Sequence, residues 1–129
     1  ALGIAIGRIG CFLGGLEDYT YGTPTSAPWG VDFGDGVLRH PVQLYESAAM
    51  LLFLAAFTPA LRRRQEAAIR QGFYLFAGWY AVQRFAWEFL KPYPDVLGPL
   101  NLCQLVCLCL GPYALSMILV TRTAVHARA

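Results

Sequence analysis

Long apolar runs broken by short charged connections dominate the chain. Three of them reach the roughly 20 residues needed to cross a hydrocarbon layer as helix. They run from about Val42 to Leu61, Gly72 to Leu90 and Pro99 to Thr121. Short connections predict antiparallel packing. The opening stretch, Ala1 to Leu16, is too short to span and reads as the end of a fourth helix whose start is missing. The pattern predicts an all-α membrane protein: a polytopic helical bundle of about three full transmembrane helices plus the end of a fourth. Residues 1–129 would form one part of a longer, single membrane-embedded domain. Between the first helix end and the first span, residues 17–41 are polar and rich in Gly, Pro, Thr and Ser. Within them Trp29 to Val37 alternates, which predicts a short hairpin with an Asp-Gly turn. Gly3 and Gly7 stand four apart, and Gly10 and Gly14 extend a small-residue face suited to close helix packing.

Composition supports a membrane rather than a soluble core. Hydrophobic residues make up 57% and charged residues 14% of the chain. Soluble domains carry roughly 45–50% and about 25%. The net charge of +2 is too small to imply nucleic acid. Charge placement sets orientation. Arg62, Arg63, Arg64 and Arg70 cluster in one connection, and Arg122 and Arg128 lie in the tail. Both segments are expected on the cytoplasmic side, leaving Glu17–His40 and Lys91–Gly98 outside. The four cysteines have no zinc-type spacing and read as small packing residues. No metal or cofactor is implied.

Polar groups at membrane depth are the candidate chemistry. An Arg at a helix centre costs about 2.5–3.5 kcal/mol on insertion scales, so it is paired, wetted or functional. Tyr80, Arg84 and Glu88 recur every fourth residue and share one helix face. They form either a functional face or a structural Arg84–Glu88 ion pair. Arg8 lies between Gly7 and Gly10, where a phosphate can approach its guanidinium. The alternative is an arginine snorkelling to the interface. Arg39-His40-Pro41-Val42-Gln43-Leu44-Tyr45-Glu46 opens the first span, with Gln43 and Glu46 on one face. Helix-start chemistry is the plainer reading of that block. Gln104 is an amide in an apolar run, expected to bond across helices. Together these residues describe an outward-facing polar cavity with two arginines, suited to an anion.

The same residues carry a family resemblance. Gly7-Arg8-Ile9-Gly10-x-Phe12, Arg39-His40-Pro41-x-Gln43-Leu44-Tyr45-Glu46 and Tyr80-x-x-x-Arg84-x-x-x-Glu88-Phe89 resemble blocks of the prolipoprotein diacylglyceryl transferases. Gln104 falls where that family carries a Gln, and Lys91 stands where Arg is usual. The resemblance implies a multi-pass enzyme of the bacterial inner membrane with its active face periplasmic. It would move a diacylglyceryl group from phosphatidylglycerol to the lipobox cysteine of a prolipoprotein. This chain would be its C-terminal half. Its partners would be phosphatidylglycerol, prolipoprotein signal peptides and the bilayer. Arg84, Glu88 and Tyr80 would be catalytic, and Arg8, His40, Gln43, Tyr45, Glu46 and Gln104 would bind substrate. The general base would sit on a helix upstream of Ala1. The family's first block usually reads GRxGNFxNGE; here Cys11 and Gly14 replace its asparagines and Leu16 its glutamate. A divergent, non-catalytic phospholipid-binding protein of the same fold is therefore the competing reading. A transporter is a weaker third, for want of broken-helix repeats.

Overall fold

The computed structural model describes residues 1–126. Four helices carry the fold: α1 (Leu2–Leu13), α2 (Val42–Arg62), α3 (Glu66–Glu88) and α4 (Leu102–His126). α1 packs on α2, α2 on α3, and α3 on α4. Helix α3 thus separates α2 from α4. Polar side chains fasten these contacts to backbone carbonyls. Ser47 Oγ donates to Ala5 O at 2.9 Å, and Trp79 Nε1 donates to Ala49 O at 3.0 Å. Small residues let α3 and α4 approach: Ala77, Ala81 and Ala114 are buried, and a Cβ on Gly78 would meet that of Ala114 at 3.7 Å.

Two helices are long and apolar enough to cross a membrane. These are α2, with mean hydropathy 1.5, and α4 over Leu102–Thr123, with mean hydropathy 2.0. Their large side chains face outward: Leu52, Val106, Leu115 and Val120 are exposed. Such a surface calls for lipid or further helices rather than water. Helix α3 has the length, 23 residues or roughly 34 Å. It is less apolar because it carries Glu66, Arg70, Arg84 and Glu88.

Helix bounds differ from the sequence expectation for local reasons. α3 starts six residues before Gly72, because Arg64 turns the chain at φ 51° and Gln65 is extended, freeing Glu66 to begin a helix. Glu66 then pairs with Arg70 one turn on, at 2.7 Å. α4 starts three residues after Pro99. Leu97 and Leu100 bridge across a turn at Gly98 (φ 59°), and Asn101 caps the helix.

The outer polar segment folds as expected in part. A 3₁₀ turn, Gly15–Asp18, follows α1. Strands β1 (Val31–Asp32) and β2 (Leu38–Arg39) pair antiparallel as a hairpin. The turn is not a two-residue Asp-Gly turn but a five-residue loop built on one carboxylate. Asp32 Oδ1 accepts the N–H groups of Gly34, Asp35 and Gly36 at 2.8–3.1 Å. Gly34 and Gly36 supply the positive φ angles, 104° and 78°. The backbone bonds hold the Asp32 carboxyl below the usual range, that of Gly34 first. The other edge of β2 is covered: Thr25 N–H donates to Leu38 O at 2.8 Å. The same strip is pinned to the end of α3, where Thr23 N–H donates to Leu90 O at 2.7 Å. Residues 17–40 and 90–93 therefore share one end of the bundle. The arginines of 62–64 sit on the connection between α2 and α3, where neither lies. Arg122 is exposed on the last turns of α4; Arg128 lies outside the described residues.

The small-residue face of α1 meets no other helix among the described residues. A Cβ added at Gly3, Gly7 or Gly10 would meet nothing within 4 Å. α1 packs instead through Ala5, its one buried residue. The glycine face is open among the described residues.

Candidate anion site at the outer end of the helices

Five charged side chains converge where α1, α2 and α3 meet the polar segment 17–40. Glu46, one turn into α2, is 1% exposed and lies at the centre. Its Oε2 is 2.7 Å from Arg8 Nε on α1. Its Oε1 is 2.5 Å from Arg84 Nη1 on α3 and 2.9 Å from Lys91 Nζ just past α3. A second carboxylate, Glu88, lies 3.2 Å from Arg84 Nε and 3.8 Å from Lys91 Nζ. Both Glu88 and Lys91 have fully buried side chains, whereas Arg8 and Arg84 keep 17% and 12% exposure. The two guanidiniums are thus the members a solute can reach.

Local structure explains the convergence. Arg84 and Glu88 are four apart on α3, and Gln43, Glu46, Ser47 and Met50 form the buried face of α2 against α1. Lys91 follows the helix end, where Leu90 N–H and Lys91 N–H bond to Trp87 O and Glu88 O. This tightened turn, held by Thr23, brings the lysine back over the glutamates. Burial pushes its ammonium down from the ordinary lysine range, against the pull of Glu46. Tyr93 closes the same corner: its ring lies 5.8 Å from Lys91 Nζ, and its hydroxyl donates to Tyr19 O at 3.1 Å.

The remaining predicted residues divide into three groups. His40 and Tyr45 form a second, adjoining cluster. Trp29 Nε1 donates to Tyr45 Oη at 2.8 Å, and His40 Nδ1 is 3.3 Å from the same oxygen. Tyr45 also packs on Trp87, ring centroids 5.4 Å apart. Gln43 is fully buried, and neither amide atom has a hydrogen-bond partner among the described residues. Such an amide calls for water or a ligand. Tyr80 is half-buried and stacks on Phe76, with no hydrogen bond among the described residues.

Gln104 corrects an expectation. Among the described residues its bonds stay at the start of its own helix. Its Oε1 accepts from Asn101 N at 3.0 Å, while Asn101 Oδ1 accepts from Gln104 N at 3.0 Å. This is a reciprocal cap that satisfies two free N–H groups at the start of α4. Its Nε2 is buried without a partner. Two residues were left unassigned by the sequence. Lys91 stands three residues after Glu88 but beyond the helix, so helix periodicity gave it no face. Cys103 lies with its Sγ 3.9 Å from Arg84 Nη2.

The altered first block has its own contacts. Cys11 is half-buried, and a Cβ at Gly14 would lie 3.4 Å from Asp18 Cβ. Asp18 is held below the usual carboxylate range, first by the Thr20 hydroxyl at 2.5 Å and also by the Cys11 thiol.

A helical bundle with apolar outer faces and a buried cluster of three cations and two carboxylates at one end fits a membrane protein. The comparisons narrow the class. Residues 1–120 match the family model described as prolipoprotein diacylglyceryl transferase, and the chain belongs to that family. It is similar to the phosphatidylglycerol–prolipoprotein diacylglyceryl transferase of Geobacter sulfurreducens, 35% identical over 96% of this chain and 49% of the relative. The protein of the same name from Nitratidesulfovibrio vulgaris strain Miyazaki F is 37% identical over 95% of this chain and 47% of its own length. That from Campylobacter jejuni strain RM1221 is 36% identical over 73% and 32%. The chain spans about half the length of the first two. No solved structure matches.

Proposed function

We propose that the chain supplies the phosphate-holding part of a phosphatidylglycerol–prolipoprotein diacylglyceryl transferase. The carrying observation is the pair Arg8 and Arg84, on different helices, both within 2.7 Å of one buried carboxylate. Two guanidiniums held around one anionic group form a ready phosphate site. In the bacterial inner membrane, α2, α3 and α4 would span, α1 would end a further span, and the site would open to the periplasm. The Arg-rich connection between α2 and α3 on the opposite end supports that orientation.

The reaction forms one bond and breaks one. The thiol of the lipobox cysteine gives its proton to a base and its sulfur attacks the terminal glyceryl carbon of the diacylglyceryl group. A carbon–sulfur bond forms, the carbon–oxygen bond to phosphate breaks, and glycerol phosphate leaves with the electron pair. Arg8 and Arg84 stabilise the charge that grows on the departing phosphate. Glu88 orients Arg84; Tyr80 lines that helix face. Gln43 offers unpaired amide atoms for glycerol hydroxyls, His40 and Tyr45 form the outer wall, and Gln104 contributes Nε2. The base belongs to an upstream helix, not to His40.

The test is rescue of a transferase-depleted bacterium by the full-length protein carrying this chain. The wild type should restore growth, and Arg8→Ala and Arg84→Ala should each abolish rescue at equal membrane abundance. Rescue by both variants refutes the role of the arginines. A second reading, a lipid-binding protein without activity, is favoured by Cys11 and Gly14 in place of asparagines. Failure of the wild type, with phosphatidylglycerol still bound, would establish it.

A further inference from the structure

Glu46 is out of place for a phosphate site. A carboxylate lined up between two arginines repels the anion they are meant to hold. Its third partner offers the explanation. Lys91 Nζ already lies 2.9 Å from Glu46 Oε1, fully buried, and Glu88 is a further 3.8 Å from the same ammonium. When Arg8 and Arg84 turn to an incoming phosphate, Glu46 keeps one short ion pair. It is not left as a bare buried charge, which would be very costly.

Charge counting adds a second constraint. With every member ionised, Arg8, Arg84 and Lys91 face Glu46 and Glu88, so three cations meet two carboxylates and one positive charge is left over. A phosphodiester carries one negative charge and neutralises the cluster. A phosphomonoester approaches two above its second pKa of about 6 and exceeds it.

We propose that Glu46 is a resident stand-in for the lipid phosphate, handed to Lys91 when lipid binds, and that it charge-matches the site to a phosphodiester and against a phosphomonoester. This rests on the phosphate-site reading above and says which phosphate the site prefers. Transfer turns the diester into glycerol phosphate, which carries one more charge than the cluster can neutralise. The return of Glu46 to the arginines then displaces it. Lys91 and Glu46 are positioning residues: they act through the arginines.

The experiment measures binding by the full-length protein in nanodiscs of neutral lipid. The probes are phosphatidylglycerol, phosphatidic acid of the same chains and diacylglycerol. The wild type should bind phosphatidylglycerol in preference to phosphatidic acid. Glu46→Gln adds one net positive charge and should move the ratio toward phosphatidic acid by about tenfold or more. Lys91→Met removes the surplus charge and should weaken phosphatidylglycerol binding by about tenfold, whereas Lys91→Arg should restore it. An unchanged ratio in Glu46→Gln overturns the proposal even where both lipids bind. If Lys91→Met does not fold, the Glu46→Gln ratio decides alone. Wild-type binding no tighter to phosphatidylglycerol than to diacylglycerol would instead overturn the phosphate-site reading itself.

Discussion

Glu46 touches three cations and almost no solvent, so its loss and its neutralisation have different consequences. Glu46→Ala strips a buried cluster of its central anion and leaves Arg8, Arg84 and Lys91 to repel one another. Breaking a buried pair in this way costs about 3–5 kcal/mol. Thermal melts in detergent should show a large drop; an unchanged melting temperature would mean that the cluster is wetter than its burial indicates. Lys91 provides a pH handle. Its ammonium is pushed down by burial and faces Glu46 from α2, Arg84 and Glu88 from α3, Asp18 from the 3₁₀ turn, and the Tyr93 ring. Losing that proton removes the surplus positive charge. Phosphatidylglycerol affinity should therefore fall with rising pH, and at a lower pH than the 10.5 of an ordinary lysine. Lys91→Arg, always charged, should flatten that profile. A wild-type profile as flat as the variant's would exclude Lys91 as the titrating group.

At the scale of elements, α4 and the hairpin each rest on a nameable polar contact. Asn101 and Gln104 cap α4 reciprocally. Asn101→Ala should cost about 1 kcal/mol. Since α4 packs only on α3 among the described residues, the loss should appear as faster hydrogen exchange at Leu102–Leu105; unchanged exchange would show the cap to be redundant. The outer hairpin depends on Asp32. Its folded pKa lies below the ordinary 3.8, so its contribution is complete above that value and is lost as pH falls through the lower folded one. Trp29 sits beside the hairpin and should report the loss by fluorescence as wild type is acidified, whereas Asp32→Ala should give the altered signal already at neutral pH with no such transition; the same acid transition in the variant would exclude Asp32 as its source. Recognition of these caps from sequence was partial. The Asp-Gly pairs signalled a turn but not its length, because three backbone N–H groups on one carboxylate outweighed the two-residue form.

For the whole molecule, the two ends of the bundle differ in charge and in structure. One end carries Arg62, Arg63 and Arg64; the other carries the hairpin, the anion cluster and the Thr23–Leu90 tie. Single cysteines at Asp35 and Arg64 in a cysteine-free, full-length protein test the orientation. An impermeant maleimide should label the first from outside intact spheroplasts and the second only after lysis; the reverse pattern would invert the topology. The open glycine face of α1 and the exposed apolar faces of α2 and α4 fit a chain that spans about half of its relatives' length.

The residue pattern alone anticipated the helices, their order, the polar segment between the first two and four of the five charged side chains that the structure brings together, because hydropathy and helical spacing are local properties. It placed Arg84 with Glu88, since four residues is one helical turn. It could not rank Glu46 above its neighbours or bring in Lys91. Those assignments depend on which helix faces which, and on a loop tie between Thr23 and Leu90 far apart in sequence. The glycine stripe of α1 shows the same limit: spacing marks a face that can pack closely, and only the tertiary arrangement shows that α1 meets α2 through Ala5, on another face. Charge in a buried site is a property of the assembled cluster, so the surplus of one positive charge became visible only when three helices and a loop were brought together.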